Sequence, residues 1–224
     1  MGLSITYLGH SGFLLSDGDY SLCVDPFLTG NDFAKHKPED IRCTHLALTH
    51  GHPDHVGDSL EIIRNNDALL IAANEICHYF GEQGVEKMEP GNPGGKIDLP
   101  FGWIAFTQAF HSSSYQGRYM GLPCGLVISM GGAVFYHLGD TGIFSDLKLL
   151  GEIYRPDIAA VPVGDRFTMG PELGSRAAEL VGPKVAIPIH YKTFGLLRQD
   201  ASGFKPKGVE VKEMAPGDNW GDAP

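Results

Sequence analysis

The sequence predicts a single mixed α/β (α+β) domain. Three observations point to it. Short apolar runs bounded by turn residues recur from the start of the chain. Stretches with helical spacing lie between the later runs. Several of the runs end at a histidine or an aspartate rather than fading into a linker. With 224 residues, the chain holds one sizeable core and is short for two full domains. The whole of 1–224 is therefore read as one unit.

In chain order, "LSITYLG" and "SGFLLSDGDYSLCVDPF" read as strands. "SDGDY" looks like a hairpin turn, because Asp-Gly supplies the positive φ such turns need. "THLALTH" is a short buried strand. "VGDSLEIIRNN" reads as a helix, with Leu60, Ile63 and Arg64 at helical spacing. "DALLIAA" is a strand, and "NEICHYFGEQG" a helix with Asn74 as N-cap and Gly84 at its close. "EPGNPGGK", residues 89–96, reads as a long turn. "GWIAFTQAFH", then "CGLVISM" and "GAVFYHLGD", then "VEVKEM" are further strands. "SDLKLLGEIY" and "PELGSRAAELV" look helical. "DIAAVPVG" and "KVAIPIH" are strands that stop at polar residues. The last ten residues, "APGDNWGDAP", read as a loose tail.

Composition narrows the function. Seventeen Lys plus Arg against 27 Asp plus Glu give a net charge of −10. Non-specific nucleic-acid or anionic-membrane binding needs a basic surface, so both are disfavoured. No apolar stretch reaches the roughly 18 residues of a membrane span. The N-terminus shows no secretory pattern, and its Met-Gly start is not read as a lipidation signal, so a cytoplasmic protein is expected. Cys23, Cys43, Cys77 and Cys124 form no CxxC pair and read as buried free thiols.

The decisive stretch is "LTHGHPDHVGD". His50, His52, Asp54 and His55 fall within six positions. Packing gives three imidazoles in a turn-rich loop no apolar face to serve. Metal ligation does, since imidazole nitrogen and carboxylate oxygen suit zinc, manganese, iron or nickel. Residues two apart on an extended segment point the same way, so His50 and His52 can share one ion. Asp54 and His55 enter the following helix and face elsewhere, as two adjacent ions would require. Such a pair needs more ligands. His111, Asp140 and His190 each terminate a strand-like run, where an α/β fold places its site.

On these residues the chain resembles the metallo-β-lactamase fold superfamily, whose motifs match Asp25, the cluster at 50–55, His111, Asp140 and His190. It is most similar to a group of small bacterial and archaeal metal-dependent hydrolases of unassigned substrate. The similarity runs through "GHSGF", "TQAFHSSSY" and "PIHY" over roughly residues 3–213. The resemblance implies a four-layer αββα sandwich. It implies that His50, His52 and His111 hold one metal, that Asp54, His55 and His190 hold a second, and that Asp140 bridges them. Asp25 would orient ligands through hydrogen bonds. Pro53 stands where relatives carry a small residue.

His10, after the first strand, is expected near the metals as a substrate contact or proton carrier. His137, on the strand leading to Asp140, is expected to pack or to support the ligands. Tyr115, Arg118, Asp165, Arg166 and Lys192 are candidate substrate contacts on loops expected to line a cleft. The expected cofactors are two divalent ions, zinc first, with manganese, nickel or iron also able to serve. Sharing a water between them lowers its pKa from 15.7 to about 7. Asp54 would orient the resulting hydroxide and pass a proton. Hydrolysis of an ester, lactone, amide or phosphodiester in a small-molecule substrate follows, in a protein that can form homo-oligomers. Two rivals stay open: iron-dependent redox chemistry on the same fold, and a metal-bound protein that binds without catalysis.

Overall fold

The computed structural model describes residues 2–221. The chain opens with β1 (Ser4–Gly9), β2 (Gly12–Ser16) and β3 (Ser21–Val24), joined as antiparallel neighbours. The β2–β3 turn passes through Gly18 at φ +99°, as Asp-Gly predicts. β4 (His45–Ala47) runs parallel to β3 and leads into the one-turn helix α1 (Pro53–Val56) and then α2 (Ser59–Asn66). β5 (Leu69–Ala73) feeds α3 (Asn74–Glu82) without a loop. Asn74 is therefore the first helical residue and not the cap, and Ala73 before it makes no side-chain cap bond.

The segment read as one long turn at 89–96 contains parts of two strands. β6 (Met88–Gly91) is the edge of the first sheet and β7 (Lys96–Leu99) the edge of the second. Only 92–95 turn, carrying the chain from one sheet to the other. β8 (Gly102–Gln108), the short hairpin β9 (Ser114–Tyr115) and β10 (Arg118–Tyr119), β11 (Cys124–Met130) and β12 (Ala133–His137) follow. Then come α4 (Leu147–Tyr154), β13 (Ile158–Pro162), α5 (Pro171–Val181), β14 (Val185–Ile189) and β15 (Glu210–Val211). Of "VEVKEM" only the first part is strand. The tail is not loose up to residue 221: β16 (Asn219–Trp220) pairs with β1. Residues 222–224 lie outside the described residues.

Two seven-stranded sheets result, ordered β16-β1-β2-β3-β4-β5-β6 and β15-β14-β13-β12-β11-β8-β7. Strand alternation explains how they stack. Leu126 and Ile128 of β11 face the first sheet, in a core shared with Phe13, Leu15 and Val24. Val127 between them faces outward, against Leu147 of α4 and Ala177 of α5. The outer face of the first sheet buries Leu46, Leu70 and Ala72 against Ile62 and Ile63 of α2 and Ile76 and Phe80 of α3. Three buried clusters thus separate four layers, α-β-β-α, as the resemblance implies. All four cysteines are free and buried. No described helix is long and apolar enough to cross a membrane.

Candidate metal centre

The topology gathers the polar strand ends on one edge. β1, β3 and β4 run in one direction, because β2 is antiparallel to both β1 and β3, and β4 is parallel to β3. His10, Asp25 and His50 follow their C-terminal ends. In the second sheet β8, β12 and β14 likewise share a direction. His111, Asp140 and His190 follow theirs.

Locally, the loop after β4 is shaped by Gly51 and Pro53. A Cβ on Gly51 would lie 2.3 Å from Met120 Cβ, so only glycine lets the loop pack there. Pro53 starts α1 at a position whose N–H would be unpaired anyway, which explains its tolerance. His52 stays extended, at φ −95° and ψ 153°, and His50 Nε2 lies 3.0 Å from His52 Nδ1. His55 turns inward on α1 and is fully buried.

Asp140 sits at the middle. Its Oδ2 lies 2.9 Å from His190 Nε2 and 3.5 Å from His111 Nε2, and its Oδ1 lies 3.4 Å from His55 Nε2. Asp54 Oδ2 lies 3.1 Å from His10 Nε2 and 3.7 Å from His190 Nε2. Three overlapping groups have one ligand atom per residue within 4.8 Å of all the others: His50, His52 and His111; His50, His55 and Asp140; and His10, Asp54, His55 and His190. His55 Nε2 and Asp140 Oδ1 are buried with no hydrogen-bond partner. An unsatisfied buried polar atom costs about 1–3 kcal/mol, more if charged. Partnerless nitrogen and carboxylate atoms aimed at one space fit a divalent cation, so the donor set suits the metals expected from the sequence.

Electrostatics agrees. Burial holds His50 well below its ordinary pKa, so it presents a neutral ligand nitrogen. Burial also opposes charge on His190, but Asp140 outweighs it and raises the pKa to about 9. His55 is pushed up in the same way, against burial, by Asp140 and Asp25. Despite its burial, Asp140 is held well below the usual carboxylate range by His190 and His55. The carboxylates demand positive charge at the centre, and a cation can replace the protons that otherwise supply it.

Asp25 is fully buried and accepts three hydrogen bonds. Thr49 N–H donates at 2.9 Å, Thr49 Oγ1 at 2.6 Å and His55 Nδ1 at 2.7 Å. The last holds a proton on Nδ1, so Nε2, facing Asp140, is the nitrogen His55 can offer to a cation. His10 is buried between Asp54 and Thr193, whose Oγ1 lies 2.9 Å from His10 Nδ1. Foremost through burial, its pKa falls to about 4, so the ring is neutral. Its backbone takes φ +56°, and His190 has φ +57°; left-handed non-glycine residues of this kind cluster at functional sites. His137 ties two site loops together, donating from Nε2 to Ser11 O at 2.8 Å and accepting Gly139 N–H at 3.0 Å on Nδ1.

Of the five expected substrate contacts, Lys192 shares a cleft with a residue of this constellation. It lines a cleft of about 370 Å³ together with His10 and Thr193, its ammonium lying over the Phe33 ring. The contacts of the other four lie elsewhere. Arg118 is spent on Glu82 at 2.9 Å and stacks over Tyr79, because the β9–β10 hairpin projects it onto α3. Tyr115 also packs on Tyr79. Asp165 faces Arg198, and Arg166 lies over its neighbour Phe167. Sequence reasoning missed Thr49, Ser113 (which accepts Gly51 N–H) and Thr193. A hydroxyl residue directly before His50, and another shortly after His190, were the available signals.

The beta-lactamase superfamily domain model matches residues 4–190, and the chain belongs to that family. Within it, the chain is 42% identical over 216 residues to the UPF0173 metal-dependent hydrolase YtkL of Bacillus subtilis, covering 92% of this chain and 95% of YtkL. A UPF0173 metal-dependent hydrolase of Geobacillus thermodenitrificans is 43% identical, covering 97% of this chain and 99% of the relative. Among solved structures, Igni18, a metallo hydrolase from the hyperthermophilic archaeon Ignicoccus hospitalis, superposes with a TM-score of 0.89 at 34% identity, covering 97% of each chain.

Proposed function

We propose that the chain is a dinuclear metal-dependent hydrolase acting on an ester, lactone, amide or phosphodiester bond of a small molecule. One observation carries the reading: eight side chains, His10 among them, converge in overlapping ligand groups, with buried atoms left unpartnered between them. In this reading His50, His52 and His111 hold one ion, Asp54, His55 and His190 the other, and Asp140 lies between. Two divalent ions, zinc first and manganese, nickel or iron as substitutes, would acidify water and polarise the scissile bond.

The protein's own residues do the rest. Asp25 keeps His55 in the tautomer that ligates. Asp54 would orient the reacting water, and its hydrogen bond to His10 connects it to Thr193, a route for a proton between the site and its neighbouring cleft. Relatives named metal-dependent hydrolases at more than 40% identity support the reaction class. A cytoplasmic setting, where thiols stay reduced, suits the four free cysteines.

Metal analysis of the purified protein, followed by turnover of lactones, thioesters and phosphodiesters before and after chelation, tests this reading. Two ions per chain and metal-restored hydrolysis are expected. A single iron with oxygen consumption would favour the redox rival, and a tightly held small molecule without turnover would favour a binding protein.

A further inference from the structure

Beside His111 the surface opens into a cavity of about 610 Å³, lined by Pro93, Gln108, Phe110, His111, Leu122 and Pro123 among others. No lining residue carries a formal charge apart from what His111 can gain. His111 is one of the groups that can hold a metal, so whatever fills the cavity lies against the edge of the centre. Phe110 is 61% exposed and Leu122 56% exposed, and the two share this one cavity with a candidate metal ligand.

These side chains do not sit on slack backbone. Phe110 N–H donates to Thr141 Oγ1 at 3.0 Å, and its carbonyl accepts Gly142 N–H at 3.2 Å. Its ring meets Phe144 edge-on at 5.0 Å. Phe110 is thereby tied to the segment that carries Asp140. Leu122 lies two residues before Cys124, whose N–H donates to Thr49 O at 2.9 Å, next to His50. Rigid elements that carry the ligands thus also present two apolar side chains to water. A charged arm placed there would lose hydration and find no lysine or arginine in the lining to pair with.

We propose that this cavity receives the apolar arm of the substrate, so that the hydrolysed compound is a neutral ester, lactone or amide with an alkyl or aryl group, and not a phosphodiester. The inference rests on the metal centre proposed above and narrows its substrate class.

A chelating probe with a variable tail tests it without relying on turnover. Straight-chain alkyl hydroxamic acids from acetyl to octanoyl are titrated calorimetrically into zinc-loaded protein. Binding tightens about fourfold per methylene in the native protein, the value of burying one CH₂. In Phe110→Ser and Leu122→Ser, with metal content unchanged, the increment falls below twofold. A tail ending in a carboxylate binds at least tenfold more weakly than its methyl-ended equivalent. A flat series in the native protein, an unchanged increment in both variants, or equal binding of the charged tail overturns the proposal while leaving the centre in place. A change in sedimenting mass on Phe110→Ser also overturns it, by making this face an interface between copies. Failure of every hydroxamate, acetyl included, to bind the zinc-loaded protein sinks the centre and this inference together.

Discussion

Asp25→Asn isolates what one buried carboxylate does for a ligand it never replaces. Asparagine keeps the volume and keeps one acceptor. That acceptor goes to Thr49 N–H, which now bonds Oδ1 at 2.9 Å. The amide NH₂ must then occupy the place of Oδ2, which accepts Thr49 Oγ1 at 2.6 Å and His55 Nδ1 at 2.7 Å. An N–H facing the His55 N–H is a clash of donors. His55 can relieve it by moving its proton to Nε2, the nitrogen that faces Asp140 at 3.4 Å. A protonated Nε2 cannot ligate.

Loss of such an outer partner typically costs 10–100-fold in metal affinity, or about 1.4–2.7 kcal/mol. Exchanging two charge-assisted bonds for weaker ones takes a further roughly 2–4 kcal/mol from the metal-free fold. That corresponds to a melting temperature lower by roughly 4–16 °C for a chain of this size. Zinc affinity is measured by competition with a chromophoric chelator, and stability by thermal unfolding in excess chelator. Thr49→Val is the control. It leaves the Asp25–His55 bond and takes from His50 Nδ1 only a neutral hydroxyl partner at 3.0 Å, so affinity should fall less than in Asp25→Asn. Zinc affinity of Asp25→Asn within twofold of the native protein would refute the tautomer argument.

Other predictions follow from the same geometry. Asp140→Asn should lower metal occupancy and turnover together, and full activity with two ions retained would contradict a bridging role. His10→Ala should leave an Asp54 oxygen without its partner and reduce kcat while both ions stay bound; unchanged turnover and metal content would remove His10 from the site. Chelation should destabilise the protein by about 2.7 kcal/mol per site that was held at one hundred times its Kd, lowering the melting temperature by roughly 5–11 °C; no shift in differential scanning calorimetry would argue against structural coupling to the metals. Burial raises the thiol pKa of Cys43 to about 11 and, foremost through burial, those of Cys77 and Cys124 to about 12. Thiolate is then scarce at pH 8, and iodoacetamide should label the four cysteines only after unfolding; rapid labelling of the native protein, read by mass spectrometry, would count against this packing.

Much of this protein is written in local pattern. The strand-like runs, the helices at 59–66 and 171–181 and the His-x-His-x-Asp-His cluster all reflect periodicities and ligand chemistry that neighbouring residues decide among themselves. His111, Asp140 and His190 were legible because each ends an apolar run. What the sequence could not determine was decided by pairing between distant segments. β16 is a strand only because β1 offers it an open edge, and 89–96 divides because each half meets a different sheet. Arg118 looked available to a substrate until the β9–β10 hairpin laid it against Glu82, some 36 positions away in the chain. The Thr49–Asp25–His55 chain of hydrogen bonds and the apolar cavity beside His111 likewise exist only once strands far apart in sequence share an edge. Residue types and their spacing determine which ligands and which period a segment offers; the partner it meets, and so which polar groups are consumed and which stay free for chemistry, is settled by long-range contact alone.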